Sequence, residues 1–370
     1  MYKMMTPGPT MVAENVRLAR SVETGNPDLD VDFYDYYKET CELYSKLLHT
    51  ENESLILSGE GILGLEAAVA SLTEQGDRVL VLDNGVFGKG FADFVTIYGG
   101  EPVLYSTDYK KAIELEPLKA FLEKDSDFKY ATVVHCDTPS GMLNDIASIC
   151  PLLKEYGILT VVDSVSGMFG NAVNVDASKI DILCGGSQKA ISCPIGLTLV
   201  TVSEDAKQAM EQRKTPVASF YANLLTFKNY YENKWFPYSM PISDIYGLRQ
   251  ALENIQKDPD MLKRHAEIAK KTREALTRSG LKLYADNGYS NTVTVFAIPG
   301  GVTAEQILKR MREEHNIMLA GSFDVMAGEV IRIGHMGYNC TEKNMKETLE
   351  ALDAVLRELG VHLEEPISWK

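Results

Sequence analysis

Short apolar runs of strand length alternate with segments of helical spacing from about residue 40 to residue 240, and this alternation restricts the fold more than any other feature of the chain. Residues 35–48 carry apolar side chains at helical spacing, Ser54-Leu55-Ile56-Leu57 reads as a strand, and Leu65 to Leu72 reads as a helix. Gly76-Asp77 marks a turn before the strand Arg78-Val79-Leu80-Val81-Leu82. Next come a helix near 88–98, a strand at 102–105, a helix at 116–124, the strand Ala131-Thr132-Val133-Val134 and a helix at 146–156. Strands ending at Asp163 and Cys184 follow, then Leu197-Thr198-Leu199-Val200-Thr201. The pattern implies an α/β fold: a large, doubly wound domain whose mostly parallel sheet is covered by helices on both faces.

After about Pro241 the character changes. A long helical stretch, Ile245 to Ile255 and Met261 to Ser279, precedes strand-like runs at Leu281 to Tyr284 and Thr292 to Phe296. A helix at 303–315, the strand Val330 to Ile333 and a last helix at 341–359 complete the chain. Few strands with long helices describe a smaller C-terminal α+β domain. We divide the chain into an N-terminal segment 1–20, a large domain 21–255 and a small domain 256–370. The length of 370 residues accommodates this, since single cores stop growing near 250 to 300 residues.

Composition excludes several classes. A formal net charge of −15 argues against a nucleic-acid partner, which needs clustered Lys and Arg. Residues 1–9 contain no apolar signal core, and no later run reaches bilayer length, so neither a membrane nor an export route is expected and the location expected is cytoplasmic. Cys41, Cys136, Cys150, Cys184, Cys193 and Cys340 lack C-x-x-C spacing and several sit in apolar runs, which reads as buried small hydrophobes. The six histidines show no metal-binding spacing, and no metal is expected.

Two chemically distinctive residues fall at strand ends. Lys189 closes Gly185-Gly186-Ser187-Gln188-Lys189 directly after the run 180–184, and Asp163 ends the run 158–162. Ligand chemistry in open α/β sheets collects at such ends. A lysine there can form an imine with an aldehyde, and a buried carboxylate can hold a pyridine nitrogen protonated. Those are the two protein groups that pyridoxal 5'-phosphate requires. Taken alone, Lys189 is equally readable as a solvated loop lysine.

Gly59-Glu60-Gly61-Ile62-Leu63-Gly64 matches G-x-G-x-x-G, follows a strand and opens a helix, with Asp83 at the end of the next strand. This supports a dinucleotide site as well as a phosphate monoester site. Both share one physical content, an anion held by backbone N–H groups at a helix N-terminus.

Taken together, the motifs resemble the class V branch of fold-type I pyridoxal-phosphate enzymes, and most closely the alanine–glyoxylate and serine–pyruvate aminotransferases. The resemblance runs in order through residues 6–9, Ser58 to Gly61 with Leu65 to Ala68, and residues 84–88. It continues through 137–141, 162–165, 186–190 and Val330 to Gly334. It implies that Lys189 is the Schiff-base lysine and acid–base group, and that Asp163 partners the pyridine N–H. Phe87 would stack on the ring with Val165 on its other side, and Thr138 would bond the phenolic oxygen. Gly59, Gly61, Ile62 and Gln188 would serve the phosphate, and Arg332 would clamp the substrate carboxylate, although strand alternation alone would let Arg332 face solvent. The resemblance also implies a homodimer with shared active sites, in which Ser239 of the segment 235–241 reaches the neighbouring phosphate. Phe236 stands there where a tyrosine is usual, and Tyr238 is a substitute two residues along.

Several positions depart from that pattern. Glu60 replaces a small hydroxyl residue and Ile62 a common histidine, so Glu60 is expected to turn outward or to pair with a cation. Asn26, in Thr24-Gly25-Asn26-Pro27, replaces a histidine in the substrate pocket, and Pro139 stiffens the loop beneath the cofactor. The expected activity is transfer of an amino group from a small amino acid, alanine, serine or similar, to a 2-oxo acid such as glyoxylate or pyruvate, by a ping-pong mechanism. Aspartate and 2-aminoethylphosphonate remain alternative donors. A cysteine desulfurase-like lyase is the enzymatic rival, but the stretch Leu319 to Ile331 lacks the cysteine it needs.

Overall fold

A computed structural model of the chain describes residues 2–369. Its central sheet has seven strands in the spatial order Glu53–Ser58, Leu197–Val202, Ile182–Gly186, Leu159–Asp163, Tyr130–Val134, Arg78–Asp83, Glu101–Ser106. The last five are mutually parallel, and Leu197–Val202 runs antiparallel to both of its neighbours. Tyr130–Val134 and Ile182–Gly186 are buried at every residue, which is why they read as continuous apolar runs without alternation. Helix Gly61–Leu72 packs on the strands at 182–186 and 197–202, and helix Ile146–Glu155 on the strand at 159–163.

The register decides what gathers where. Val134 pairs with Asp163, and Asp163 with Cys184, so the parallel strands end at nearly the same level. The residues that follow them, Asn84-Gly85, His135 to Asp137, Ser164-Val165 and Ser187 to Lys189, therefore leave the sheet along one edge.

Apolar side chains form two main clusters. The larger comprises residues between Val16 and Met261 with Met336; the other joins Met5 to residues between Ile268 and Ile367. The first residues thus pack with the C-terminal part: Lys3–Met4 pairs in parallel with Ile317–Met318, and Gly334 N–H donates to Met5 O at 2.7 Å. From there the chain crosses to the sheet edge, where Thr10 N–H donates to Gln188 O at 3.0 Å.

Two local expectations change. The run at 281–284 is not a full strand; only Leu283 bridges Phe296, because Asp286 N–H is drawn away to Lys110 O at 2.8 Å. The strand before Lys189 continues through Gly185 and Gly186, since Gly186 still pairs with Thr198. Among the described residues no helix is long and apolar enough to cross a membrane.

Candidate active site

The loop carrying Lys189 is fixed before its side chain acts. Ser187 Oγ donates to Pro194 O at 2.7 Å, Cys193 N–H to Ser187 O at 3.0 Å, and Ser192 N–H to Lys189 O at 2.9 Å. Thr10 Oγ1 donates to Lys189 O at 3.2 Å. The amine itself turns inward and donates to Pro7 O at 2.6 Å. Burial lowers the proton affinity of Lys189, and the Arg332 charge works in the same direction. A solvated loop lysine would show neither feature.

Asp163 is 6 % exposed at its strand end, and its Oδ1 accepts from Val165 N–H at 2.9 Å. Burial pushes its carboxyl up to about 7, against the opposing pull of that N–H and of Lys189. Val165 lies against Gly61, where a Cβ would come within 2.8 Å of a Val165 methyl; only a glycine lets helix and loop approach so closely.

Beside this pair, Asp137 is fully buried and accepts from Phe87 N–H at 3.0 Å and Ser140 Oγ at 2.7 Å. It ties the Phe87 turn to the loop holding Thr138, which is buried and has no side-chain hydrogen bond among the described residues. Asp137 did not stand out in the sequence as a site residue. Its signal was the Asp-x-x-Ser spacing to Ser140, in which a carboxylate captures its own turn.

Arg332 does not face solvent freely. It is half-buried between Ile331 and Ile333, its Nε donates to Gly321 O at 2.5 Å, and its guanidinium stands 5.5 Å from the Phe323 ring centroid. Burial pulls its proton affinity down to about 10, and it forms no ion pair among the described residues. Phe323 also meets Phe87 edge-on at 5.9 Å, so Phe87, Phe323 and Arg332 form a continuous wall. Phe323 carried no motif signal.

Glu60 contradicts its expectation. It neither turns outward nor pairs with a cation; it caps the helix Gly61–Leu72, accepting from Ile62 N–H at 3.0 Å and from Gln188 Nε2 at 3.0 Å. The capping preference of a carboxylate before a helix outweighs its solvation here.

Two candidates stay apart from this cluster. Asn26 is exposed in a turn where its Oδ1 accepts from Asp28 N–H at 2.9 Å, and Ser239 is exposed with its Oγ donating to Asp28 at 2.6 Å. Phe236 is buried, stacked on Tyr34 at 4.6 Å, and Tyr238 is stacked on Tyr221 at 4.1 Å. Asp83, the other carboxylate at a strand end, is engaged by Ser106 Oγ at 2.8 Å and Tyr109 OH at 2.7 Å. A cleft of about 1090 Å³ lies elsewhere, among residues such as Lys38, Lys46 and Tyr231. All six cysteines are free and buried, and no metal-binding group occurs among the described residues.

A half-buried lysine with its amine turned inward and a buried carboxylate at strand ends of a doubly wound sheet, with an arginine nearby that has no ion pair among the described residues, belong to a fold-type I transaminase of the pyridoxal-phosphate-dependent class. The aminotransferase class-V family model matches residues 10–344, and the chain belongs to that family. An uncharacterized aminotransferase of Methanocaldococcus jannaschii is 36% identical over 366 residues, covering 98% of this chain and 94% of the relative. The pyridoxamine–pyruvate transaminase of Mesorhizobium japonicum is 32% identical over 342 residues, covering 90% and 86%. The crystal structure of ureidoglycine–glyoxylate aminotransferase from Bacillus subtilis superposes with a TM-score of 0.94 at 28% identity, over 98% of this chain and 95% of that one. Family membership also decides the glycine loop against the dinucleotide reading.

Proposed function

We propose that the chain moves the amino group of a small amino acid, alanine or serine foremost, to a small 2-oxo acid such as glyoxylate or pyruvate. The named acceptors of the Mesorhizobium and Bacillus relatives, pyruvate and glyoxylate, support acceptors of that size. The observation that carries the reading is the inward-turned Lys189 amine beside a buried Asp163 and an unpaired Arg332.

The family implies pyridoxal phosphate, which when bound supplies an electron sink and an amine carrier. The residues toward the ring fit it. Asp163 is buried at its strand end, where an ionised carboxylate would hold a pyridine nitrogen protonated. Phe87 and Val165 offer apolar faces to a ring, and the unpartnered Thr138 hydroxyl is free for a phenolic oxygen. Gly59, Gly61, Ile62 and Gln188 border the 5′ end, where Glu60 already takes the donors, so that end does not fit a phosphate as it stands.

Lys189, disfavoured as an ammonium by burial, is poised to act as a nucleophile and to take the proton from the substrate α-carbon. Arg332 meets the substrate carboxylate with a planar fork of donors, and the Phe323 ring beside it limits side-chain size.

The working form we infer is a cytoplasmic homodimer. Leu29, Val31 and Trp235 are exposed close to Asn26 or Ser239 in sequence, an apolar set that a second copy would cover, bringing Asn26 and Ser239 toward the neighbour's site. Six free cysteines suit a reducing compartment. The division into segments 1–20, 21–255 and 256–370 belongs to the same reading, supported by the two apolar clusters.

The test is to add amino acids one at a time to the vitamer-loaded protein and follow its visible absorbance. Alanine or serine should bleach the band, with pyruvate or glyoxylate restoring it. A band indifferent to every small amino acid would refute the assignment.

A further inference from the structure

The end of the site where family resemblance places a phosphate is lined by hydrogen-bond acceptors. Both carboxylate oxygens of Glu60 are engaged there, one accepting from Ile62 N–H and the other from Gln188 Nε2, each at 3.0 Å. Gln188 is 4 % exposed, and its second amide atom, Oε1, is buried without a hydrogen-bond partner among the described residues. Turning the amide over would set its oxygen against the Glu60 carboxylate, so the orphan is an acceptor. Among the described residues no lysine or arginine is hydrogen-bonded to either residue, and the nearby Lys189 amine is directed at Pro7.

At neutral pH a phosphate monoester carries between one and two negative charges, and its oxygens act chiefly as acceptors. Here it would meet a like-charged carboxylate and an unpaired carbonyl oxygen, and it would have to strip Glu60 from the N–H it needs. A hydroxymethyl group is neutral and brings one O–H donor. That donor satisfies Gln188 Oε1 or a Glu60 oxygen and leaves the helix cap in place.

We propose that this site selects vitamers bearing a 5′-hydroxymethyl group, pyridoxal and pyridoxamine, over pyridoxal phosphate, and that Glu60 is the residue that discriminates. The proposal rests on the vitamer-dependent transaminase reading above and changes only its 5′ end.

The test titrates the full chain, freed of bound vitamer, with pyridoxal, pyridoxal phosphate and inorganic phosphate, binding being read by difference absorbance and equilibrium dialysis. Wild type, Glu60→Gln and Glu60→Ser are compared; serine still caps the helix, so the variant should fold. Wild type is expected to bind pyridoxal about tenfold or more tightly than the phosphate ester, a margin set by one charged contact. Glu60→Ser should raise affinity for the ester by about tenfold or more without raising that for pyridoxal, and inorganic phosphate should compete with the ester in that variant. Glu60→Gln should fall between the two. A wild type that prefers the ester, with no gain in Glu60→Ser, would overturn the proposal and leave the transaminase reading standing. If no folded form binds either vitamer, both fall together.

Discussion

Lys189 Nζ donates a 2.6 Å hydrogen bond to the carbonyl oxygen of Pro7, from the far side of the sequence. The N-terminal segment, anchored by Met5 in the smaller apolar cluster, thereby roofs the amine. The next residue, Gly8, has φ +94°, and a Cβ there would lie 2.5 Å from Lys189 Cδ and 2.6 Å from Nζ. Gly8→Ala should therefore cost about 1–3 kcal/mol and weaken vitamer binding, because strain and collision add. Denaturant midpoints and vitamer titration check this; wild-type values for both would show that the roof is dispensable.

Asp163 makes stability depend on pH. Its folded-state value of about 7 exceeds the ordinary 3.8, chiefly through burial, so the vitamer-free protein keeps a proton that the unfolded chain releases. This contribution is whole below pH 3.8 and is lost as pH rises through about 7, a change of roughly 4 kcal/mol. Asp163→Asn should remove that loss, making the variant the more stable form at pH 8 while impairing turnover. Parallel pH–stability profiles for the two proteins would contradict it.

Arg332 has its charge half-buried and no ionic partner among the described residues. Arg332→Lys keeps the charge but loses the planar fork, so KM for amino acid and 2-oxo acid should both rise by about 10- to 100-fold. Vitamer affinity should stay within about twofold, since the ring contacts lie elsewhere. An unchanged KM for both substrates would place the carboxylate on another residue.

Two half-reactions sharing one amine carrier imply ping-pong kinetics. Initial rates over a grid of donor and acceptor concentrations should give parallel double-reciprocal lines. Intersecting lines would require both substrates on the protein at once.

Much of the fold is legible in the sequence. The strand–helix alternation gave the doubly wound sheet because buried parallel strands must be continuous apolar runs, and strand ends located Lys189 and Asp163. What stayed hidden depended on contacts between distant segments. Nothing local to Pro7 or Gly8 announces Lys189 as a neighbour, and Phe323 reaches Phe87 only through the fold. Charge alone predicts a solvated or cation-paired Glu60, yet its position before a helix favours capping. The bridge at Leu283 likewise reflects where Asp286 is pulled, which no run of side chains encodes.

The central claim is that Lys189 is the amine that holds the vitamer. Borohydride reduction of the vitamer-loaded protein followed by peptide mass spectrometry tests it directly. The prediction is a pyridoxyl adduct on the peptide containing Lys189, absent in Lys189→Ala together with the visible band and with turnover lowered by at least about a thousandfold. An adduct on another lysine, or a Lys189→Ala protein that keeps the band and its turnover, would contradict the account.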